Sequence, residues 1–219
     1  MRYQKRLAMP NSWPLAKKAK TTYVISPIGK KKEESMTILA LIRDLLKLAT
    51  TKKEVKKILA AKEVLIDNKP VTDEKYPAGL LDIISIPKLN KYYRLVLEKN
   101  KLRLHEIPEK DSNEKICKVV GKKQISQKTV QINLYGGKNI IYSGKVSVND
   151  SILLDLKQNK VIKTFSLKEG AKALILFGKH SNKMGEIKKI LSLEKSRDVI
   201  VSTKNGEIRI PLNNVFVIG

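Results

Sequence analysis

The stretch ALILFGKHSNKMGEIKKIL, residues 173–191, is an apolar run that breaks at Gly178 and resumes after Gly185 with Ile187, Ile190 and Leu191. Apolar residues on both sides of a glycine-bounded break predict strand–turn–strand. A plain hairpin needs only turn formers. This turn instead carries Lys179, His180 and Lys183 and no acidic residue, so the loop is expected to hold something acidic.

Outward from this hairpin the same pattern repeats. YYRLVLEKNKLRLHEI, VQINLYGGKNIIYSG, SILLDLKQNKVIKTFSL and DVIVSTKNGEIRI each read as two short strands around a turn. The turns are Lys99-Asn100-Lys101, Gly136-Gly137, Gln158-Asn159-Lys160 and Asn205-Gly206. From about residue 92 onward no helical period survives, and regular short strands predict two small barrels joined near Glu169-Gly170.

Upstream the period changes. In MTILALIRDLLKL, residues 36–48, Ile38, Leu41, Ile42, Leu45, Leu46 and Leu48 form a broad helical stripe. A second helix opens at Thr51, with Glu54 three residues later as the partner of a capping box. Lys52, Lys53, Lys56 and Lys57 cover one arc of it, and Val55, Ile58 and Leu59 the opposite arc. Like charges at i, i+4 cost roughly 0.2–0.5 kcal/mol per pair. The bland reading is a solvated face; the acid-free excess points to a phosphate-binding one. Short strands follow at Val64–Ile66, Val71 and Asp82–Ile86, with a turn at Asp67-Asn68-Lys69-Pro70. Asp82 is expected to cap a strand edge.

Residues 1–32 hold nine Lys or Arg, three prolines and no Asp or Glu. Alone, such a segment is extended or disordered, and basic arms of this kind order on nucleic acid by neutralising phosphates. Trp13, the single tryptophan, either plugs the arm onto its own domain or stacks on a base, with the plug favoured.

The whole chain of 219 residues carries a net charge of +24, from 45 Lys+Arg against 21 Asp+Glu. Self-repulsion on that scale is best explained by a polyanionic partner. The one cysteine, Cys117, excludes an internal disulfide and alternates with Val119 as a small buried hydrophobe, which suits a reducing compartment. No apolar run approaches the roughly 20 residues that span a bilayer. Pro10 and Pro14 break any amphipathic transit helix, so a cytosolic chain is expected.

Five stretches carry a resemblance: KRLAMPNSWPL (5–15), VLIDNKPVTDEKYPAGLLDIISI (64–86), ICKV (116–119), VNDSILLDL (148–156) and PLNNVFVIG (211–219). Together they resemble the archaeal and eukaryotic small-subunit ribosomal protein family "four-e". The resemblance implies an α+β multidomain chain. A basic arm would span 1–35, and a two-helix RNA-binding domain of the type named after bacterial small-subunit protein four would span 36–91. A central β domain would follow over 92–169 and a KOW small β-barrel over 170–219. In that layout residues 173–191 resemble a KOW motif, two strands flanking a basic, glycine-containing loop on RNA. Gly178 and Gly185 stand at family glycine positions. Asn182 stands where the family usually has glycine, and Asn is the residue that best tolerates left-handed backbone in its place. Relatives of this kind commonly have a longer N-terminal arm and continue beyond the position of Gly219 into a basic tail.

The implied function is that of a structural constituent of the small ribosomal subunit on the 5′ domain of its rRNA. Recognition would be by shape, phosphates and 2′-hydroxyls rather than base sequence. The expected RNA-binding residues are Arg2, Lys5, Arg6, Lys17, Lys18, Lys20, Lys30, Lys31 and Lys32 of the arm, Lys52, Lys53, Lys56 and Lys57 of the helix, and Lys179, His180, Asn182 and Lys183 of the loop. The expected partners are small-subunit rRNA and neighbouring small-subunit proteins, with no membrane and no small-molecule substrate. No cofactor or metal is expected, since His105 and His180 lie far apart and no phosphate-binding Gly–Lys–Ser/Thr loop occurs. AGLLD, residues 78–82, echoes a pseudouridine-synthase loop, but Leu80 replaces its arginine and no length remains for a catalytic domain, so an enzyme is not expected. The alternative is a KOW-bearing transcription or ribosome-associated factor.

Overall fold

The computed structural model describes residues 3–19, 21–126, 129–192, 197–203 and 206–218. Arg2, Lys20 and Asn205 lie outside them. The chain divides into two units, Met1–Asn113 and Glu114–Gly219.

The first unit begins with a two-stranded antiparallel ribbon, β1 (Tyr3–Lys5) and β2 (Tyr23–Ile25). Next come β3 (Ser35–Thr37) and α1 (Ile38–Ala40), which runs on as a π-helical turn over Leu41–Leu45. The helix α2 (Lys52–Ala60) and the strands β4 (Leu65–Ile66), β5 (Lys69–Pro70), β6 (Pro77–Gly79), β7 (Ile83–Ile86), β8 (Lys91–Glu98) and β9 (Lys101–Glu106) complete it. One sheet has the order β5-β4-β7-β8-β9, and β3 pairs with β6 beside it. Two of its hairpins turn on two residues of positive φ, Asp67-Asn68 (+49°, +61°) and Lys99-Asn100 (+46°, +64°). Positive φ at both positions matches the right-handed twist of the flanking strands, and Asn and Asp tolerate it best. Met36, Ile38, Leu41, Ile42, Leu59, Ile83, Ile84, Leu95 and Leu102 are fully buried beneath these elements.

Three features differ from the sequence expectation. Residues 35–37 are strand because Ser35, Met36 and Thr37 pair with Gly79, Ala78 and Pro77. The helical stripe that follows is underwound into a wider π turn, with the Leu46 N–H donating to the Leu41 carbonyl five residues back. Strands β8 and β9 extend the sheet of the first unit through β7, so that sheet crosses the boundary expected at residue 91. The apolar alternation Leu95/Leu97 and Leu102/Leu104 is the same whichever sheet it joins, so pattern alone does not assign it.

The N-terminal segment also differs: it is folded onto its own unit. Trp13 is 2% exposed, and its indole N–H donates to the carbonyls of Lys32 (2.8 Å) and Ser35 (3.0 Å). That is the plug rather than the stacking group. The Ser12 carbonyl accepts from the Leu102 N–H at 2.7 Å, which ties the segment to β9.

The second unit has two antiparallel sheets. The first, in the order β12-β11-β10-β13-β14, consists of β10 (Glu114–Gln124), β11 (Val130–Leu134), β12 (Asn139–Tyr142), β13 (Ser151–Asp155) and β14 (Lys160–Phe165). The second, in the order β18-β17-β16-β15-β19, consists of β15 (Lys172–Ile175), β16 (Met184–Ser192), β17 (Arg197–Thr203), β18 (Gly206–Pro211) and β19 (Val215–Val217). Cys117, Val119, Ile132, Leu134 and Ile152 fill one core, and Ala173, Ile175, Ile187, Val199, Val201 and Val215 belong to the other. Polar groups bind the sheets together. Ser151 Oγ accepts from the Val217 N–H at 3.0 Å, and Tyr135 packs edge-on against Phe216 at 5.4 Å. The Lys118 ammonium, 3% exposed, donates to the carbonyls of Leu212 (2.6 Å) and Val215 (2.9 Å).

Candidate nucleic-acid interface

The lysine face of α2 is set by its cap. The Glu54 N–H donates to Thr51 Oγ1 at 3.3 Å, and the Glu54 carboxylate accepts from the N–H groups of Thr50 (2.8 Å) and Thr51 (3.3 Å). Those donors, Thr50 foremost and then the Thr51 hydroxyl and N–H, hold the Glu54 carboxyl at about 2. A charged carboxylate at this end also complements the helix dipole. Val55 and Leu59 are fully buried, and each such side chain contributes roughly 1.5–3 kcal/mol. With that face buried, Lys53, Lys56 and Lys57 stand exposed on the other, with no ion-pair partner among the described residues.

Lys52 is different. Its ammonium lies 2.9 Å from Glu74 Oε1 and 3.4 Å from the Tyr3 hydroxyl, and 5.9 Å from the centre of the Tyr3 ring. The nearly buried Glu74 carboxylate is the main reason that the Lys52 pKa is raised. Lys52 is therefore partly committed inside its own unit.

The N-terminal cations divide in the same way. Arg6, expected on RNA, is 7% exposed, and its guanidinium donates to Thr21 O (3.1 Å), Ala16 O (3.0 Å) and Thr21 Oγ1 (2.8 Å). A guanidinium can saturate several carbonyls at once, and here it closes the loop between β1 and β2. Lys30 is likewise paired, 2.5 Å from the Asp82 carboxylate, which also accepts from the Gly79 N–H at 2.6 Å. Asp82 is thus an internal brace. Lys5, Lys17, Lys18, Lys31 and Lys32 remain exposed. Lys17 reaches Asn11, Lys31 reaches Glu34 and Lys32 reaches Gln4, contacts that an exposed side chain exchanges readily with solvent.

The third group sits on the turn between β15 and β16. The Asn182 N–H donates to Ile175 O (2.8 Å) and the Ile175 N–H to Lys183 O (3.0 Å). Inside this closure the Ser181 N–H donates to Gly178 O at 3.1 Å. Gly178 has φ +97° and Asn182 φ +63°, so the asparagine holds the left-handed conformation expected of it. Gly185 is needed for a different reason, because a Cβ there would lie 2.3 Å from the Ser202 carbonyl oxygen. The closure gathers Lys179, exposed, with His180 and Lys183, both half-buried, and His180 Nδ1 lies 3.5 Å from Lys183 Nζ.

Two exposed aromatic residues escaped the sequence reading. Tyr3 is 43% and Tyr23 58% exposed, and only their placement on adjacent strands distinguishes them from ordinary surface residues. A groove of about 620 Å³ in the second unit is lined by Lys122, Lys145, Ser147 and Asp150 among others. The Asp150 carboxylate there is taken up by the N–H groups of Ser147 (2.8 Å) and Leu167 (2.9 Å), so it serves structure. Among the described residues no cluster of His, Cys, Asp or Glu has a metal-binding arrangement, and no helix is long and apolar enough to cross a membrane.

Residues 89–161 match the model of the ribosomal family S4e. The chain is 37% identical to the small ribosomal subunit protein eS4 of Methanosphaera stadtmanae, over 100% of this chain and 92% of that one. Against the eS4 of Methanocella arvoryzae the identity is 34%, over 98% and 93%. The crystal structure of the 30S ribosomal protein S4e from Thermoplasma acidophilum superposes with a TM-score of 0.73 at 30% identity, covering 85% of this chain and 95% of that one. With likeness running through both units at this level, the chain belongs to the S4e (eS4) family of small-subunit ribosomal proteins.

Proposed function

We propose that this chain is a structural constituent of the small ribosomal subunit, where it binds rRNA and neighbouring small-subunit proteins and catalyses nothing. The observation that carries the reading is the end-to-end likeness to proteins named for that subunit. The exposed lysines supply the chemistry, since each cation placed on a phosphate releases a condensed counterion. In this reading Lys53, Lys56 and Lys57 of α2 and Lys5, Lys17, Lys18, Lys31 and Lys32 track the phosphate backbone. The β15–β16 turn acts as a KOW loop within a KOW domain over 170–219, presenting Lys179, His180 and Lys183. The site is on the 5′ domain of the rRNA, read by backbone shape and 2′-hydroxyls.

Sedimentation tests the reading. A tagged chain should travel with the small subunit and stay with it through a high-salt wash. Release by the wash, with recovery among free factors, would favour the KOW-bearing associated factor instead.

A further inference from the structure

The ribbon β1–β2 puts chemistry in one place that phosphate binding does not use. Its register sets Lys5 opposite Tyr23 and Tyr3 opposite Ile25, so Tyr3, Lys5 and Tyr23 share one face. Diagonal neighbours on such a face stand about 7–8 Å apart. Of the seven tyrosines, Tyr3, Tyr23 and Tyr76 are 40% or more exposed, and two of these three lie here. Single exposed apolar residues are ordinary on protein surfaces, whereas two rings on adjacent strands, framed by lysine, form a surface.

That surface is held from below and from the side. Val24, on the opposite face, is 5% exposed, and Ile25, across from Tyr3 on the tyrosine face itself, is likewise 5% exposed. The Arg6 guanidinium ties the end of β1 to Thr21 and Ala16, and the Arg6 N–H donates to Thr22 O at 2.9 Å. Lys52, itself fixed by Glu74, places its ammonium against the Tyr3 ring and hydroxyl. One turn along α2 from Lys52 stands the exposed Lys56, and the 32 residues that include the ribbon contain no acid.

We infer that the β1–β2 ribbon is a stacking platform for two successive unpaired RNA bases, with Tyr3 and Tyr23 under the bases and Lys5 and Lys56 on the flanking phosphates. Every base offers a π-face, and aromatic residues on neighbouring strands are an established way to hold splayed bases. A duplex hides those faces, so the platform takes single-stranded loops, bulges or ends. The charge selects RNA over an apolar protein neighbour, because Lys5 and Lys56 would leave such a neighbour with unpaired cations at its border. This inference rests on the RNA-binding reading above and narrows it to a named surface.

The test uses the full chain and two labelled RNAs of about 12 nucleotides, one unstructured strand and one duplex, within the usual site size for stacking proteins. Changing Tyr3 and Tyr23 together to alanine should weaken binding of the single strand about tenfold or more. The dependence on salt should keep its slope, because stacking releases no counterions, and duplex affinity should be unchanged. Tyr3→Phe with Tyr23→Phe should bind as wild type, since the ring is what acts. In the wild-type complex, adjacent 2-aminopurines in the single strand should change fluorescence on binding, a readout independent of whether the alanine variant folds. Unchanged single-strand affinity in the alanine variant, equal losses on both RNAs, or silent 2-aminopurines at saturation would each overturn the platform. Wild-type binding that ignores salt would instead sink the RNA reading beneath it.

Discussion

Lysine plays opposite parts in the two units of this chain. On α2 of the first unit, Lys53, Lys56 and Lys57 stand in solvent on the back of a helix anchored by Val55 and Leu59. In the second unit Lys118 is 3% exposed, with its ammonium on the carbonyls of Leu212 and Val215 and 5.7 Å from the centre of the Phe216 ring. Burial pulls its pKa down to about 8. Lys30, Lys52 and Arg6 fall between these extremes, paired with Asp82, Glu74 and backbone carbonyls. The net charge of +24 is therefore not one uniform surface for a polyanion. Part of it holds the protein together, and only the remainder is free for a ligand.

The sharpest way to break this comparison is to exchange the roles. Lys118→Met should cost roughly 2–4 kcal/mol, because two buried carbonyls lose their donor and each unsatisfied group costs about 1–3 kcal/mol. Chemical denaturation would read the loss, while RNA affinity per folded molecule should stay at the wild-type value. Loss of RNA affinity at full stability would move Lys118 into the ligand class.

Next in size is the lysine face. Changing Lys53, Lys56 and Lys57 together to glutamine should flatten the salt dependence of rRNA binding by about two to three in log–log slope. Thermal stability should hold or rise by a few tenths of a kcal/mol as roughly 0.2–0.5 kcal/mol of repulsion per pair is relieved. Lys52 behaves differently. Lys52→Gln strands the nearly buried Glu74 carboxylate, so that variant should lose stability where the other three do not. An unaltered slope in the triple variant would show those lysines to be merely solvated.

The turn residue comes third. Asn182→Val should cost about 1–2 kcal/mol, since a β-branched side chain in the left-handed region meets its own carbonyl. RNA binding should fall with it as Lys179, His180 and Lys183 are displaced. Asn182→Gly should be near neutral, with relieved strain offset by added freedom in the unfolded chain. Equal melting temperatures for the valine and glycine variants would mean that the turn has no need of its positive φ.

A further prediction is a pH dependence. Lys118 has a folded pKa of about 8 against an ordinary lysine value of 10.5. Below pH 8 both states hold the proton, and the folded state bears the cost of a buried charge. Between about 8 and 10.5 the unfolded chain binds more protons, so this group makes stability rise with pH there. The rise should be smaller in Lys118→Met by the share due to this one amine. Parallel pH profiles for the two proteins would mean that the amine titrates normally and is not buried as described.

Much of this was legible along the chain. The Thr51–Glu54 box, the buried Val55/Leu59 arc and the paired two-residue turns are local matters, fixed by residues within four positions of one another, and so could be read in order. The positive φ of Asn182 was legible for the same reason, once the resemblance marked the position as a glycine site. Which cations face outward was not. Arg6 and Lys5 are neighbours of like charge in an acid-free segment, yet one is enclosed by carbonyls 10 and 15 residues away and the other is exposed. Lys52 and Lys53 differ only because Glu74 arrives beside one of them. The sheet that takes β8 and β9 was equally hidden, because an alternating strand fits any apolar surface that meets it in register. By itself the sequence determined the capped helix, most of the strands and turns, and the polyanionic character of the partner, since these depend on short-range sterics, periodicity and total charge. Only the tertiary structure decided which lysines brace the fold, which stand exposed, and that Tyr3 and Tyr23 lie on adjacent strands, because burial and pairing are set by residues distant in the chain.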